Sequence, residues 1–264
     1  MDENKRNPVP SKIYSKNYFL TGCLGSGVYK RSKGRRLDRR LQRCMEIADL
    51  KKNMNVLDIG CGRGEVSFNA ALIGCKVFAI DYSNAALDLT KQTINKLDKG
   101  LRNNVVIRKM DATDIGNAFN NATFDRILMF DIVEHLYDWQ LTKLLDSIKK
   151  ILKPDGKLII HTSPNKWVYE YAYFLKRLYM LIKKGKLLLK DSRSPHDKKM
   201  HVNEQNIISL KKLLKDFDKK MWVEFVTTPK HRYKIVELIE KSPLFYTPIK
   251  YFLCNDIFAV CTKK

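Results

Sequence analysis

The sequence lacks any apolar run long enough to cross a bilayer, and its first residues, MDENKRNPVPSK, lack the apolar core of a secretion signal. Its six cysteines are scattered and form no CxxC pair. Several lie in apolar runs, so we interpret them as reduced core residues and expect neither disulfides nor a zinc site. These absences predict a cytoplasmic protein, either free or peripheral on the inner face of the cell membrane.

Acidic residues are few. The sequence has 28 aspartates and glutamates against 50 lysines and arginines, which gives a formal charge of +22. Such an excess implies an anionic partner, which could be nucleic acid, an anionic membrane surface or a phosphorylated substrate. Charge alone does not choose among them. The 264 residues, 44% of them hydrophobic, can bury one sizeable core. No internal repeat is visible, and we predict one domain with insertions.

The stretch NVLDIGCGRGEVSF, residues 55–68, reads as a buried strand, a glycine turn and the start of a helix. Glycines there allow a ligand to approach the backbone closely, and a helix N-terminus favours an anionic group. The dinucleotide fingerprint G-x-G-x-x-G is incomplete, because Glu65 stands where its third glycine belongs. The stretch therefore predicts a nucleotide-like ligand of another kind.

Two acids follow the next two strands. Asp81 ends the second strand, where a carboxylate can accept both ribose hydroxyls, and Asp111 ends the third, where it can meet an adenine amino group. With no phosphate-binding lysine nearby, this pair suits an adenosine ligand without phosphates. In the alternative interpretation both acids are only turn or cap residues at strand ends.

The pattern of strands and helices alternates along the chain, which predicts βαβ units and a mostly parallel sheet. After the first strand we expect strands at 76–81, 105–110, 124–131, 157–162, 221–228 and 256–262, with helices at 30–50, 83–97, 139–152 and 203–217. A turn is predicted at 153–156, LKPDG being a typical turn signal. The fold class is thus α/β, a Rossmann-like, doubly wound, seven-stranded sheet.

The predicted domain organisation has two parts. Residues 1–29 form a polar tail and an aromatic, glycine-containing loop that could fold over a site, and residues 30–264 form the domain. Helical insertions are expected after the fifth and sixth strands, at about 166–200 and 229–254.

The segments VLDIGCGRG, VFAID, MDATD, FDRILMFDIVEHL and LKPDGKLII resemble those of class I S-adenosylmethionine-dependent methyltransferases, in the same order over about residues 37–165. The resemblance implies S-adenosylmethionine as cofactor and methyl transfer as the reaction. It also implies roles for single residues. Gly60, Cys61, Gly62 and Gly64 would wrap the methionine moiety, Asp81 and Tyr82 would lie at the ribose, Asp111 and Ala112 would flank adenine, and Phe130 would line the pocket.

The run Asp131-Ile132-Val133-Glu134-His135 is similar to the E-x-x-E-H element of two methyltransferase groups: the O-methyltransferases of ubiquinone biosynthesis and the small-RNA 3′-terminal 2′-O-methyltransferases. In a helix its two acids and histidine would share a face. They would form a set for Mg²⁺ or another divalent cation. Alternatively, Asp131 caps the helix, Glu134 pairs with a lysine and His135 is a packed histidine.

Two further features resemble the ubiquinone group. In that group an arginine before the glycine loop holds the cofactor carboxylate, and Arg40 lies at the same distance before the loop. The segment PHDKK, residues 195–199, resembles the group's T-H-D-x-K-K, which makes His196 a candidate fourth metal ligand. The chain departs from that group at Asp131, which replaces a glutamate, and over residues 14–29. His201 is expected to be a polar residue that flanks a helix capped by Asn203.

For the chemistry we expect His135 to act as general base with Glu134 beside it, since an imidazole titrates near neutral pH. The variant hypothesis is a metal at the same residues that lowers the pKa of the acceptor hydroxyl.

The first insertion carries apolar residues at helical spacing from Trp167, with lysines and an arginine on another face. A basic amphipathic helix with aromatics predicts a membrane-surface element. Its alternatives are a substrate lid packed on the sheet and an RNA-binding surface. A second basic and aromatic patch, KSPLFYTPIKYF, spans 241–252.

Together these features predict O-methylation of a small anionic or lipid-linked metabolite, such as a quinone precursor or a surface-glycan intermediate. The alternatives are an RNA 2′-O-methyltransferase and a non-catalytic interaction module that keeps the cofactor fold.

Overall fold

The computed structural model describes residues 6–191, 193–226, 243 and 248–264. Seven strands form one sheet in the order β3-β2-β1-β4-β5-β7-β6. They are β1 Asn55–Ile59, β2 Lys76–Asp81, β3 Val105–Lys109, β4 Phe124–Phe130, β5 Leu152–Thr162, β6 Phe217–Glu224 and β7 Asp256–Lys263. The first five strands pair in parallel, and β7 runs antiparallel to β5 and β6. The predicted seven-stranded, mostly parallel fold is confirmed.

The α-helices of the described residues are α1 Ser26–Ser32, α2 Arg39–Ala48, α3 Glu65–Ile73, α4 Asn84–Ile94, α5 Lys99–Arg102, α6 Ile115–Ala118, α7 Asp138–Ile151, α8 Tyr173–Lys184, α9 Pro195–Met200, α10 Ile207–Leu213 and α11 Lys250–Leu253. Short 3₁₀ turns span Ser11–Ile13, Ala112–Asp114 and Val133–His135, and π-helical turns span Tyr18–Gly22 and Val168–Ala172.

The second half of β4 shows why a strand can be apolar without alternation. After Asp125 and Arg126, its last four residues, 127–130, are all apolar. Successive side chains of a strand point to opposite faces of the sheet. Ile127 and Met129 join the cluster under α7, whereas Leu128 and Phe130 join the cluster under α2 and α3. Because helices cover both faces here, every position of this run is apolar.

The helix predicted at 30–50 is wrong, because the chain breaks it into α1 and α2. Lys33 and Gly34 adopt left-handed backbone angles, with φ of 51° and 83°. A Cβ on Gly34 would lie 2.6 Å from a methyl carbon of Thr93, so the chain turns where only glycine fits. Helix α2 then begins afresh at Asp38, whose carboxylate accepts the N–H of Leu41 at 2.8 Å.

The turn predicted at 153–156 is also wrong. Helix α7 ends at Ile151 and β5 begins at once with Leu152, which pairs with Phe124. The register of the pairing shifts between Phe124 and Arg126, so the residues of LKPDG form an irregularity inside the strand. A Cβ on Gly156 would lie 2.9 Å from the carbonyl oxygen of Phe124, which explains the glycine.

The C-terminal elements are shorter or shifted relative to the prediction. The helix expected at 203–217 spans Ile207–Leu213, and its cap is Asn206, which accepts the N–H groups of Ile208 and Ser209. The strand expected at 221–228 begins at Phe217 instead. Residues 227–242 and 244–247, which hold most of the second insertion and half of the 241–252 patch, lie outside the described residues. The domain boundary at residue 29 stays a prediction.

The cysteines lie mostly in the interior, as expected of core residues. Five of the six are buried, and Cys23 is half-buried. Within the described ranges, no helix is long and apolar enough to cross a membrane.

Candidate active site

A cavity opens where the parallel strands end. In the order β3-β2-β1-β4-β5, the chain builds outward from β1 to β3 on one side and from β4 to β5 on the other, so the strand order reverses between β1 and β4. In open α/β sheets, ligands bind at this position. Every residue that the sequence assigned to the cofactor contributes to the wall except Gly64, which lies behind it. The wall residues are Arg40, Gly60, Cys61, Gly62, Asp81, Tyr82, Asp111, Ala112 and Phe130.

The glycine loop after β1 forms the floor of the cavity. Gly60 has φ of 73°, and a Cβ on it would lie 2.8 Å from the side chain of Ile132. Gly64 has φ of 79°, and a Cβ there would lie 2.9 Å from the Cα of Thr90 in α4. Both positions therefore need glycine for two reasons, a left-handed backbone and a close neighbour.

Asp81 ends β2 and points its carboxylate at the glycine loop. One oxygen accepts the Gly62 N–H at 3.1 Å, and the other accepts the Ser83 N–H at 2.8 Å. Burial raises the pKa of the Asp81 carboxyl to about 6, although these backbone hydrogen bonds oppose the shift. Each oxygen keeps a second lone pair, so the carboxylate can still accept from ribose hydroxyls.

Asp111 combines the two roles that the sequence left open. Its carboxylate accepts the N–H and the hydroxyl of Thr113, both at 2.8 Å, and so caps the short turn after β3. It also lines the cavity together with Ala112. These hydrogen bonds hold the turn in place, and the turn forms the side of the cavity that would face adenine.

Glu65, which replaces the third glycine of the dinucleotide pattern, is the partner of a buried arginine. Arg63 and Glu65 form an ion pair at 2.8 Å with both side chains nearly inaccessible. The same guanidinium donates to the carbonyl oxygens of Phe19 at 3.0 Å and Leu24 at 2.7 Å. A paired and hydrogen-bonded charge tolerates such burial. The pair therefore ties the N-terminal segment to the glycine loop.

The N-terminal segment covers the cavity, as the aromatic loop was expected to do. Tyr14, Phe19 and Cys23 line the wall. The Ser83 hydroxyl donates to the Tyr14 carbonyl at 2.9 Å, and the Tyr82 hydroxyl donates to the Val9 carbonyl at 3.1 Å. These bonds fasten the segment to the end of β2, beside Asp81.

The predicted convergence of Asp131, Glu134 and His135 on one helical face is wrong. Asp131 has a left-handed backbone with φ of 55°, and a single 3₁₀ turn follows at Val133–His135 instead of an α-helix. The carboxylate of Asp131 is therefore directed away from the other two. It contacts Arg40 and pairs with His161 at 2.6 Å.

Another histidine takes the place of Asp131 in the cluster. Within the described residues, Glu134, His135 and His201 bring their ligand atoms to within 4.8 Å of one another. His201 was expected to be only a helix-flanking residue, and that interpretation is corrected. His196, the expected fourth ligand, is exposed and lies against Tyr18, with ring centroids 6.2 Å apart, and is not a member of the cluster.

The electrostatics of the cluster follow from its burial. Glu134 is 1% exposed; one oxygen accepts the Thr162 hydroxyl at 2.8 Å, and the other has no hydrogen-bond partner among the described residues. Burial raises the pKa of Glu134 to about 7. Burial, with the neighbouring His201, lowers the pKa of His135 to about 3, so its imidazole is neutral. One carboxylate and two imidazoles form a donor set that suits a divalent transition metal.

Sequence reasoning missed Tyr14 and His161 as well as His201. The Tyr14 hydroxyl lies 3.0 Å from Nδ1 of His135, although 121 residues separate them. The only signal for Tyr14 was its place at the start of the aromatic segment. No signal singled out His161, which lies inside an apolar strand.

A family model described as a methyltransferase domain matches residues 29–222. The chain therefore belongs to the methyltransferase-domain family, and its architecture is that of the class I S-adenosylmethionine-dependent methyltransferases. A structure of a SAM-dependent methyltransferase from Archaeoglobus fulgidus superposes with a TM-score of 0.55 and 21% identity, covering 85% of this chain and 91% of that one.

Two further proteins differ in what their names say they act on. The ubiquinone biosynthesis O-methyltransferase of Bartonella tribocorum is 30% identical over 115 residues, 44% of this chain and 43% of the relative. Phosphoethanolamine N-methyltransferase 2 of Haemonchus contortus, solved with phosphomonomethylethanolamine and S-adenosylhomocysteine, has a TM-score of 0.60 at 19% identity and covers 95% of this chain and 60% of that one. The chain spans about half the length of the curated relatives it matches.

The position and pKa of Asp81 generate a pH-dependent prediction. Its raised pKa means that the free protein protonates Asp81 as the pH falls through about 6, and a protonated carboxyl is the poorer acceptor for ribose hydroxyls. We expect the affinity for S-adenosylhomocysteine to rise by up to about tenfold between roughly pH 5 and pH 7. Asp81→Asn should bind more weakly and with little pH dependence, as measured by titration calorimetry.

A second buried carboxylate is the matched control for this measurement. Asp58 also has its pKa raised to about 6 by burial, but its carboxylate accepts the Ser67 hydroxyl at 2.6 Å. Asp58→Asn should keep the pH dependence. If the dependence disappeared in Asp58→Asn and persisted in Asp81→Asn, the role assigned to Asp81 would be wrong.

Proposed function

We propose that this protein transfers a methyl group from S-adenosylmethionine to a hydroxyl of a small anionic or lipid-linked acceptor, such as a quinone precursor or a surface-glycan intermediate. The observation that carries the proposal is a neutral, half-buried histidine, His135, on the wall of a cavity that also holds the glycine loop and Asp81. The cofactor assignments of Gly60, Cys61, Gly62, Gly64, Tyr82, Asp111, Ala112 and Phe130 belong to this proposal.

The reaction needs alignment and one base. The bond between sulfur and the methyl carbon breaks as the new bond from oxygen forms, and the positive sulfonium becomes a neutral thioether. Holding the two reactants in line can supply about 7–11 kcal/mol of the barrier. The N-terminal segment that covers the cavity contributes to this by excluding water. The remaining task is to remove the proton of the acceptor hydroxyl.

The hydrogen bonds of His135 determine which of its nitrogens can do so. Nδ1 lies 3.1 Å from the carbonyl oxygen of Met200, which can only accept, so Nδ1 carries the proton. The Tyr14 hydroxyl, 3.0 Å from the same nitrogen, then accepts as well. Nε2 is left with its lone pair and is the atom that receives the acceptor's proton. Glu134 has a carboxylate oxygen within 4.8 Å of a ring nitrogen of His135. Because burial raises its pKa to about 7, the ionised form that can stabilise the imidazolium predominates only above that pH.

A divalent metal is the second form of this proposal. Glu134, His135 and His201 fit such an ion, because Glu134 holds a buried oxygen that no described residue satisfies. The cation would supply a positive charge that lowers the pKa of the acceptor hydroxyl. Asp131 and His196 lie elsewhere and have no part in this set.

We further propose that α8 binds an anionic membrane surface. Its side chains, with those of the irregular segment that follows it, leave an apolar surface uncovered: Leu175 is 61% exposed, Ile182 72% and Leu189 80%. None of the side chains of α8 is buried. Residues 166–200 contain ten lysines and arginines against three acids, which complements an anionic bilayer.

The position of α8 argues against the alternative role as a substrate lid. Among the described residues, the cavity wall includes none from 166–200, and the N-terminal segment covers it instead. A large exposed apolar face with basic residues around it is typical of an interfacial helix. A lipid-linked acceptor would be delivered at the surface to which such a helix binds.

His135→Ala tests the proposed chemistry. We expect turnover to fall by about 10²–10⁴-fold, because a general base accelerates a reaction by about that factor. The affinity for S-adenosylhomocysteine should change little. The measurement is formation of S-adenosylhomocysteine with a catechol carboxylate as probe acceptor, beside calorimetry. His196→Ala, an exposed histidine on α9, is the matched control and should keep full turnover. Unchanged turnover in His135→Ala would refute both forms of the proposal.

The metal is tested by its own binding. We expect wild-type protein and His196→Ala to bind Mn²⁺ with the same affinity, and His201→Ala to lose binding by at least tenfold, since one of three protein ligands is gone. Titration calorimetry with Mn²⁺ alone gives the comparison. Absence of binding to the wild type would remove the metal and leave His135 as the base.

Vesicle sedimentation tests the membrane surface. We expect binding to phosphatidylglycerol vesicles at low salt and none to phosphatidylcholine, because the basic residues need anionic headgroups. Lys183→Glu/Lys184→Glu, in the last turn of α8, should abolish binding. Lys211→Glu/Lys212→Glu makes the same charge change in the last turn of α10 and should leave binding intact.

Two outcomes of that experiment would contradict the membrane proposal. Equal losses in the two variants would show that net charge alone drives association. Failure to bind anionic vesicles, together with tight and salt-sensitive binding of single-stranded RNA, would favour the RNA 2′-O-methyltransferase alternative instead.

A further inference from the structure

Four charged side chains form a chain through the interior behind the cavity. They alternate in sign and come from four separate elements: Arg40 from the first turn of α2, Asp131 after β4, His161 in β5 and Asp256 at the start of β7. In sequence they span more than two hundred residues. Only the pairing of β4, β5 and β7 within the sheet brings them together.

The contacts along this chain are continuous. Arg40 contacts the Asp131 carboxylate, and its other terminal nitrogen lies 3.5 Å from the carboxylate of Asp38. Nδ1 of His161 lies 2.6 Å from Asp131, and its Nε2 lies 3.2 Å from Asp256. The second oxygen of Asp256 accepts the N–H of Val226 at 2.9 Å. His161 and Asp256 are fully buried, whereas the Asp131 side chain is 23% exposed.

The two carboxylates determine the state of His161. An ionised carboxylate only accepts, so a ring with a carboxylate at each nitrogen donates from both and is an imidazolium. Burial opposes this charge, but the net pKa of His161 is raised, with the Asp256 hydrogen bond among the causes. His161 thus places a positive charge directly behind Asp131.

Arg40 and Asp131 are the members of the chain that line the cavity wall. Arg40 is 5% exposed, and its Nε has no hydrogen-bond partner among the described residues. A guanidinium has five N–H donors, and leaving some of them unpaired in the interior is costly unless a ligand accepts them. The planar fork of an arginine matches a carboxylate.

We propose that Asp131, His161 and Asp256 are positioning residues that hold Arg40 in place to bind the carboxylate of the methionine moiety of S-adenosylmethionine. This inference rests on the proposed function, because it presupposes that cofactor. Asp131 alone would orient Arg40 but would also neutralise it and repel a second carboxylate. His161 offsets the charge of Asp131, so the positive charge of Arg40 stays available to the ligand. Asp256 holds His161 in its charged form.

The experiment compares two ligands that differ in one group. S-adenosylhomocysteine carries the amino-acid group, whereas methylthioadenosine has the same adenosine and thioether without it. We expect Asp131→Asn and His161→Gln each to lower the affinity for S-adenosylhomocysteine by about tenfold, which is roughly the loss caused by one misplaced charged hydrogen bond. Binding of methylthioadenosine should stay within about twofold, as measured by titration calorimetry.

Arg43→Gln is the matched control, because Arg43 lies one turn further along α2 and pairs with Glu224 and Glu46 outside the cavity. It should change neither affinity. If Asp131→Asn and His161→Gln lost equal affinity for both ligands, the four charged side chains would only support the fold. If their affinity for S-adenosylhomocysteine were unchanged, these side chains would not position Arg40. Either result overturns the inference. A wild type that binds neither ligand would instead refute the proposed cofactor itself.

Discussion

The arrangement of this protein depends on one constraint, the parallel pairing of β1 with β2 and β4. Parallel strands end at the same edge of a sheet, so residues that follow them in sequence meet in space. The glycine loop, Asp81 and Asp131 come together for this reason, and Asp111 joins them because β3 pairs in parallel with β2. Because helices cover both faces, the edge is also the place where backbone N–H groups and polar side chains can face a ligand without breaking the core. The cavity is a consequence of the topology.

The covering of that cavity depends on a buried ion pair. Arg63 and Glu65 are charges in the interior, a costly arrangement that becomes tolerable because the guanidinium is paired and also donates to two carbonyl oxygens of the N-terminal segment. The glycine loop and its cover are therefore held as one unit. A glycine in place of Glu65 would allow closer helix packing, as in dinucleotide-binding proteins, but would leave Arg63 unpaired.

Two histidines at this edge have opposite protonation states. His135 has a carbonyl, a phenol and another imidazole as neighbours, so burial keeps it neutral and able to accept a proton. His161 lies between two carboxylates, which hold it charged despite its burial. The side chains are the same, but His161 is fully buried and His135 is half-buried. Despite its deeper burial, His161 is the charged one, so the neighbours make one suited to proton transfer and the other to electrostatic support.

Local patterns in the sequence were sufficient for the sheet, the glycine loop, and the places of Asp81 and Asp111, because apolar runs and strand ends are properties of adjacent residues. They failed at the break at Gly34 and at LKPDG, where contacts with Thr93 and Phe124 decide the backbone. The partners of Asp131, the entry of Tyr14 and His201 into the site, and the exposure of α8 were decided only by the tertiary structure. Each depends on residues far apart in the chain, or on a left-handed residue that turns a side chain away from its expected face.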